Sequence, residues 1–295
     1  MQLFDPAKPW FKGNLHLHTT ASDGSLTFEE AARHYQEAGY DFICVTDHRM
    51  RSVELQMYGK MLVLPGIEID FFQASQVTHI VGVNINDSFL RRYDARWGPQ
   101  RGINEIRAAG GLAILAHPLW SLNTPETINA LKDLTAAEIY NSTSRPPWNG
   151  DRADATGLLD IAAANGRPLN TVAVDDAHHY DGDAGQAFIR LQADELSVVG
   201  IMQALKAGAF HASRGPEIHQ ITFDGDTLTV SCSPARRILF HSNRAWAPLR
   251  CHEGPGITQA SFTVSREWNE RFVRVIIEDD EGRRAWANPV IIPYP

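Results

Sequence analysis

Two histidines separated by one residue, with an aspartate shortly after them, form the first segment of the sequence that could do chemistry. The segment reads GNLHLHTTASDG and contains His16, His18 and Asp23. In a β-strand, alternate side chains project from the same face, so the two imidazoles would lie side by side. The Ser-Asp-Gly loop that follows could bring the Asp23 carboxylate back to the same place. The pattern indicates a metal site, although a half-buried strand with two polar residues facing water has the same spacing.

Further histidines and carboxylates stand at the ends of short apolar runs. His48 follows the run 42–46, Glu68 follows 61–64, His117 follows 112–116, Asp176 and His178 follow 169–174, and His79 lies within 77–83. The runs alternate with helical patterns, which predicts a mainly parallel sheet in an α/β fold. The carboxyl ends of strands meet at one mouth in closed α/β sheets. We therefore expect these side chains to converge on a metal cluster.

The C-terminal part of the chain has a different character. A hairpin is predicted across Asp224 and Gly225, and further strands are predicted at 238–241, 260–264 and 272–277. Because no helical pattern separates these strands, we expect a small all-β domain resembling a sandwich. The predicted organisation is an α/β domain over residues 1–216 and an all-β domain over residues 217–295.

Composition restricts the classes of partner. The chain has 295 residues and a net charge of −8, and it contains no long run of Lys and Arg, which argues against a protein that binds duplex nucleic acid. A small anionic substrate held by a few local arginines remains compatible with this charge. The sequence has no apolar run of the ~20 residues that a membrane span needs. With no visible secretory signal and an odd number of scattered cysteines, we expect a cytoplasmic protein without membrane contact. The sequence does not indicate an oligomeric state.

Together, these motifs resemble the polymerase and histidinol phosphatase (PHP) superfamily of metal-dependent phosphoesterases. The matching motifs are His16-x-His18 with Ser22-Asp23-Gly24, Thr46-Asp47-His48, Gly66-x-Glu68, His79, Ala116-His117-Pro118 and Asp176-x-His178. They span roughly residues 10–216 and imply a distorted (β/α)7 barrel with metal ions at its C-terminal mouth. The segments 213–216 and 285–289 also look like the carbaryl-hydrolase-like branch of this superfamily.

The resemblance also implies a set of ligands for two or three divalent ions. His16, His18, Glu68 and Asp176 would hold the first ion; Glu68, His79 and His117 would hold the second; and Asp23, His48 and His178 would hold the third. Imidazole and carboxylate ligands without a thiolate suit Mn, Fe or Zn and do not choose among them. Because relatives carry either His or Asp in the position of Asp23, occupancy of the third site is left open.

The implied reaction is hydrolysis of a phosphomonoester or phosphodiester in a small phosphorylated metabolite or nucleotide, by a hydroxide shared between two ions. Arg49, Arg145 and Arg214 are candidates for contacting the phosphate, although each could equally be a surface charge. His179 could protonate the leaving group or hydrogen-bond a ligand. The alternative is an amide, carbamate or carboxylic-ester hydrolase on the same metal centre, and a non-catalytic sensor is a third reading.

Overall fold

The computed structural model describes residues 1–73 and 75–293 as a mixed α/β structure. Its α-helices are α1 (Phe28–Glu37), α2 (Pro99–Ala108), α3 (Pro125–Ala130), α4 (Thr156–Ala164) and α5 (Val198–Ala207). Its strands are β1 (Trp10–Asn14), β2 (Phe42–Val45), β3 (Gln56–Tyr58), β4 (Met61–Gln73), β5 (Gln76–Val83), β6 (Leu112–Leu115), β7 (Ala136–Asn141), β8 (Asn170–Val174), β9 (Phe188–Gln192), β10 (Phe210–Ser213), β11 (Ile218–Asp224), β12 (Thr227–Ser242), β13 (Cys251–Thr263), β14 (Phe272–Glu278), β15 (Arg284–Ala287) and β16 (Val290–Ile291). None of the helices described is long and apolar enough to cross a membrane.

Local sequence explains how the first helix is placed. The Thr27 side chain accepts a hydrogen bond from the Glu30 backbone, and the Glu30 carboxylate accepts one from the Thr27 N–H at 2.9 Å. This capping box satisfies backbone donors that a helix N-terminus otherwise leaves free. The buried face of α1 carries Ala32 and Tyr35, which belong to one apolar cluster with Ile43 of β2. Helix α1 therefore covers one face of the sheet.

The sheet is mixed, whereas the sequence pattern predicts a mainly parallel one. Strands β1, β2 and β4 are parallel, as are β6, β7 and β8, but β5 runs antiparallel to both β4 and β6. Strand β9 is likewise antiparallel to β1 and to β10. In the β4–β5 hairpin, Gln73 pairs with Gln76 across a connection too short for a crossover helix. The prediction of a mainly parallel sheet was wrong here because it extended the alternation of strands and helices to β4 and β5, which no helix separates.

The two ends of the α/β sheet approach each other at Asn288. The Asn288 side chain accepts a hydrogen bond from the Thr171 N–H of β8 at 2.8 Å and donates to the Phe210 carbonyl of β10 at 3.0 Å. Within the described residues, no backbone ladder joins β8 to β9 or β10. The closed (β/α)7 barrel therefore stays a prediction, although side-chain hydrogen bonds connect its edges.

The C-terminal strands continue the same hydrogen-bonded sheet. The predicted hairpin is confirmed, since β11 and β12 pair with Asp224 opposite Thr227. Strand β15 pairs with β14 on one side and with β10 on the other, which joins the C-terminal strands to the α/β part. The N-terminal segment also packs here, with the Leu3 N–H donating to the Ile221 carbonyl at 3.0 Å. The sandwich and the division at residues 216 and 217 stay predictions.

Side chains of α4 attach this helix to the C-terminal strands. Asp160 of α4 lies 2.8 Å from Nε of Arg274, which is fully buried, and 2.7 Å from Nδ1 of His241. Trp286 of β15 donates its indole N–H to Thr156 Oγ1 at 2.8 Å. The buried ion pair of Asp160 with Arg274 joins α4 to β14, and breaking such a pair leaves an uncompensated buried charge. The position of α4 is thus tied to β12, β14 and β15.

His211 of β10 is fully buried where β10 leads into β11. Its Nε2 accepts a hydrogen bond from the Ile218 N–H at 3.3 Å, and the Trp10 ring lies 5.3 Å away. Burial, with Arg190 and His219 nearby, lowers the pKa of His211 from its ordinary value of 6.5 to about 3. The folded chain therefore holds this imidazole neutral at pH values where the unfolded chain protonates it.

We expect acid to destabilise the protein through His211. Between pH 6.5 and about 3 the unfolded chain binds one more proton at this position, so the free energy of unfolding falls as the pH falls. From about pH 7 to about pH 5, the wild type should lose about 2 kcal/mol more than His211→Gln. Urea unfolding at both pH values measures this difference. Equal pH dependence in wild type and His211→Gln would contradict the assignment.

Candidate metal centre

The nine predicted ligands come together at one side of the sheet. His16 and His18 follow β1, His48 follows β2, Glu68 and His79 lie in β4 and β5, His117 follows β6, Asp176 and His178 follow β8, and Asp23 lies in the loop before α1. Isolated bridges keep the segments beyond the strand ends in register, with Leu17 parallel to Ala177 and His48 parallel to Glu68. The expectation that these distant residues converge is met by the geometry.

Four of these side chains form a compact group that we call the first donor group: His16, His18, Glu68 and Asp176. The Nε2 atoms of His16 and His18 are 3.2 Å apart. Each Nε2 lies 3.1 Å from Asp176 Oδ1 and 3.2 to 3.3 Å from Glu68 Oε2. Ligands at metal-bonding distance are separated by roughly 3.0 Å around an octahedral ion and roughly 3.4 Å around a tetrahedral one. The observed separations match this range.

Hydrogen bonding does not account for the whole first donor group. Asp176 Oδ1 is buried and has no partner with hydrogen-bond geometry among the residues described, although two ring nitrogens lie 3.1 Å from it. A buried carboxylate oxygen without a donor is costly. A divalent cation at the point where these lone pairs converge would satisfy the oxygen. The residues therefore fit a metal ion.

Glu68 also faces a second donor group, formed with His79 and His117. Its Oε1 lies 2.7 Å from His79 Nδ1 and 3.1 Å from His117 Nε2, while its Oε2 faces the first donor group. One carboxylate thus presents a different oxygen to each group. This arrangement is the one a carboxylate needs to bridge two cations.

The third donor group is more open to solvent and contains Asp23, His48 and His178 together with His18. Asp23 Oδ1 lies 3.5 Å from His178 Nε2 and 3.6 Å from His18 Nδ1, and Asp23 Oδ2 lies 3.5 Å from His48 Nε2. The Asp23 side chain is 55% exposed. His18 therefore presents one ring nitrogen to the first donor group and the other to the third, a sharing that the predicted ligand sets did not include.

Two of these residues adopt backbone conformations that are unusual for side-chain-bearing residues. The φ angle is 25° at His117 and 53° at Asp176, both in the left-handed region. Each such conformation costs of order 1–3 kcal/mol and persists only when the surroundings enforce it. His117 comes shortly after β6 and Asp176 shortly after β8, and both side chains point into the cluster. The strain is consistent with a site that has been selected for function.

The charges of the cluster favour a cation. Burial works to lower the pKa of His16, but Asp176, Glu68 and Glu138 outweigh it, so that this pKa is raised well above its usual value. Burial likewise works to raise the pKa of Glu68, but His16 and His79 hold it well below its usual range. The carboxylates thus create a negative potential on the imidazoles. Either protons or metal ions could balance it.

Glu138 of β7 supports the cluster and was not predicted from the sequence. Its Oε1 lies 2.7 Å from His16 Nδ1, and its Oε2 accepts hydrogen bonds from the His117 N–H at 2.7 Å and the Asn141 side chain at 2.9 Å. A carboxylate on the far nitrogen fixes the ring so that the other nitrogen can bind a metal. The available signal was a glutamate inside an apolar strand, which is rarely buried without a partner.

Asp47 lies beside the ligand His48 but belongs to none of the three donor groups. Its carboxylate accepts hydrogen bonds from the Thr19 N–H at 2.7 Å, the Thr19 hydroxyl at 2.8 Å and the Ser22 hydroxyl at 2.7 Å, and from Ser52. These bonds occupy its oxygens and fix the loop that carries Asp23. Its geometry is that of a positioning residue.

A cavity of about 290 Å³ lies over the three donor groups. Trp120, Trp148 and His179 form part of its wall beside the ligands. The Trp120 ring contacts the His117 ring at 4.9 Å, and the Trp148 ring stacks on His179 at 6.2 Å with an angle of 12° between the planes. Asn149 accepts a hydrogen bond from the Trp120 indole at 2.8 Å. The cavity therefore has a metal-ligating floor and an aromatic wall, and the two tryptophans were not predicted.

The three predicted arginines lie away from this cavity. Arg49 is paired with Asp70 through two hydrogen bonds of 2.6 and 2.7 Å. Arg145 and Arg214 line a neighbouring cavity instead. Of the residues described, none of these three is among those that line the cavity over the donor groups. Their predicted contact with a reacting phosphate stays a prediction. His179 does line the cavity, and its predicted catalytic role stays a prediction as well.

Loss of Glu68 should remove metal from two donor groups at once. Glu68→Ala deletes both oxygens, so we expect the variant to retain at most the ion of the third donor group. Elemental analysis of purified protein after dialysis against Mn²⁺ measures the number of bound ions. Asp70→Ala is the matched control, because Asp70 lies two residues away on the same strand and pairs with Arg49. An unchanged metal content in Glu68→Ala would contradict the bridging assignment.

Similarity to known proteins extends over more of the chain in structure than in sequence. No protein-family model matches the chain. The 5'-3' exoribonuclease Rnm of Escherichia coli K12 and that of Salmonella typhimurium LT2 are each 36% identical over 80 residues, which is 25% of this chain. The chain thus spans only 27% of the length of these curated relatives.

A solved structure extends the likeness to nearly the whole chain. It is a two-domain protein from Bacteroides vulgatus ATCC 8482 that contains a predicted PHP-like metal-dependent phosphoesterase. The two chains match with a TM-score of 0.54 at 15% sequence identity, over 97% of this chain and 96% of the other. The likeness shows that this chain shares its fold with a PHP-like protein, and the narrower likeness to the carbaryl-hydrolase-like branch stays a prediction.

Proposed function

We propose that the chain is a metal-dependent hydrolase that cleaves a phosphomonoester or phosphodiester bond. The observation that carries this proposal is the division of the Glu68 carboxylate between two donor groups, with Oε2 facing His16 and His18 and Oε1 facing His79 and His117. Paired metal sites joined in this way are typical of enzymes that hydrolyse phosphoesters. The shared fold with a PHP-like protein agrees with this chemistry.

The donor groups hold two or three divalent ions in this proposal, and the absence of thiolates fits Mn, Fe or Zn. When bound, such ions polarise the phosphoryl oxygens and make a water molecule acidic enough to attack at neutral pH. Other residues of the chain hold the ligands in position. Glu138 keeps the His16 ring oriented, and Asp47 holds the loop of Asp23 in place.

The cavity over the donor groups favours a small substrate or the end of a larger one. A volume of about 290 Å³ is at the lower limit of ordinary ligand sites. The aromatic wall of Trp120 and Trp148 could stack a planar group such as a nucleobase. The relatives named Rnm are 5'-3' exoribonucleases, which adds the end of an RNA chain to the small metabolites and nucleotides considered as substrates.

His179 is the proposed proton donor to the leaving group. It lines the cavity and its backbone N–H donates to Asp183 at 2.8 Å, which fixes the segment that carries the ring. The Trp148 ring stacked against it limits the orientations of the imidazole. A positioned histidine can contribute about 10²–10⁴-fold to the rate when the leaving group needs a proton.

The substrate class is tested with three chromogenic compounds and added Mn²⁺. We expect turnover of p-nitrophenyl phosphate, bis-p-nitrophenyl phosphate or both, and loss of that turnover after exhaustive chelation, with recovery when Mn²⁺ is restored. Turnover of p-nitrophenyl acetate alone would instead establish an ester hydrolase on the same centre. No turnover of any of the three with the metal fully bound would contradict a hydrolase and favour a sensor.

The role of His179 is tested with two leaving groups of different basicity. His179→Gln should lower kcat about 10²-fold or more for an alkyl phosphate, whose alkoxide must be protonated as it departs. It should have little effect on p-nitrophenyl phosphate, whose leaving group is stable as an anion. Steady-state kinetics on both substrates gives the comparison. Equal losses on the two substrates would show that His179 only shapes the cavity.

A further inference from the structure

A second cavity, of about 370 Å³, lies next to the one over the donor groups. Arg145, Arg214 and Arg284 line it together with Tyr140 and Asp154. Strands β10 and β15 build one wall, where the Arg214 N–H donates to the Arg284 carbonyl at 2.8 Å. The segment that follows β7 builds the other. The cavity therefore lies where the C-terminal strands meet the α/β part of the chain.

Arg214 has no counter-charge in this cavity. Its guanidinium lies 4.4 Å from the centre of the Tyr140 ring, and no carboxylate within residues 1–73 and 75–293 pairs with it. Its Nε is buried and has no hydrogen-bond acceptor in the described part of the chain. An unsatisfied buried donor costs about 1–3 kcal/mol, more when the group is charged. The Arg214 side chain is thus packed against an aromatic ring while its buried Nε donor stays unused.

Arg145 repeats this pattern on the opposite wall. One terminal nitrogen donates to the Gly182 carbonyl at 2.6 Å, and the guanidinium lies 5.5 Å from the Trp148 ring. Its Nε is also buried without an acceptor among the residues that the structure describes. Two arginines that line one cavity therefore each carry a buried Nε without an acceptor.

Arg145 and Arg214 are the arginines of this cavity whose charge is not paired. Arg284 is already paired, with Asp154 at 3.1 Å and Glu278 at 2.9 Å. Besides Asp154, the only other carboxylate that lines the cavity in the described chain is Asp151. Within the described residues, neither Arg145 nor Arg214 forms an ion pair, so both guanidinium groups are available to an anion.

We propose that this cavity binds an oxyanion, the phosphate or carboxylate group of a ligand, through charge-assisted hydrogen bonds from Arg145 and Arg214. Planar guanidinium groups match the oxygens of phosphate and carboxylate, and such bonds are about twice as strong as neutral ones. The site differs from the role that the sequence predicted for these arginines, which was contact with the reacting phosphate. It stands independently of the proposed hydrolysis.

The position of the cavity offers two sources for the oxyanion. Ser144 and Trp148 line the cavity over the donor groups, while Arg145 between them lines this one. A single short segment thus borders both. The oxyanion can be a second anionic group on the substrate, or a free anion such as phosphate that binds beside the substrate.

Anion binding is tested on the metal-loaded protein with inorganic phosphate as the probe, by calorimetric titration. Arg214→Gln and Arg145→Gln should each weaken phosphate binding at one site about 10-fold or more. The control Arg96→Gln removes one charge from an exposed pair with Asp94 and should bind as the wild type does. Circular dichroism confirms that each variant is folded. Because Arg145 lies on a surface segment, its variant keeps the test valid if Arg214→Gln fails to fold.

Crystals soaked in selenate locate the anion by its anomalous signal. A selenium peak within hydrogen-bonding distance of Arg145 and Arg214 supports the proposal. Anion density at the donor groups alone, or phosphate binding that is unchanged in both variants, would overturn it. Neither measurement uses turnover, so failure here is distinguishable from failure of the proposed hydrolase.

Kinetics then separates the two sources. An increase in KM with Arg214→Gln that is confined to substrates with a second anionic group, and absent for p-nitrophenyl phosphate, identifies the oxyanion as part of the substrate. Weakened phosphate binding with KM unchanged for both kinds of substrate identifies a free anion. Each result supports the oxyanion site and assigns its ligand.

Discussion

The structure of the site depends on the buried carboxylate of Glu68. Burying a carboxylate is costly unless positive charge and hydrogen bonds compensate it. Glu68 is 1% exposed, and imidazoles from three parts of the sheet lie within 3.3 Å of its oxygens. Its place on β4, the central strand between β2 and β5, is what makes this possible. Histidines that follow neighbouring strands approach Glu68 from both sides. The order of the strands in the sheet therefore determines which residues form the donor groups.

The antiparallel hairpin of β4 and β5 is a second consequence of this arrangement. With Asp70 opposite His79, the hairpin places the His79 ring 2.7 Å from Glu68 Oε1, two residues away on the partner strand. A parallel strand joined by a crossover helix would enter from the opposite end of the sheet. Strand β5 then pairs with β6, so that the Ala116 N–H donates to the His79 carbonyl at 3.0 Å and His117 follows at once. The departure from a parallel sheet thus builds the second donor group.

The sequence predicts side-chain directions that depend on local backbone geometry. It does not predict those that depend on tertiary packing. The two-residue period of a strand places His16 beside His18, and the capping box of α1 forms as its sequence indicates. Glu138 was missed because it lies within an apolar run, and its role follows from the His16 ring that folding brings to it. The predicted contact of the arginines with a reacting phosphate stays a prediction for a related reason. A long flexible side chain that follows a strand can point to either of two neighbouring cavities, and packing against Tyr140 decides the direction for Arg214.

The C-terminal strands act on the site through the segment that follows β7. Tyr140, at the end of β7, stacks on Trp286 of β15 at 5.9 Å, while the adjacent Asn141 donates to Glu138 at 2.9 Å and to Asp176 at 3.1 Å. Alternation along the strand sends these two neighbours in opposite directions, one towards β15 and one towards the donor groups. Any shift of β15 relative to β7 would therefore move the residues that orient the metal ligands. A purely independent C-terminal module would have no such connection, and we conclude that these strands are part of the framework that holds the donor groups in place.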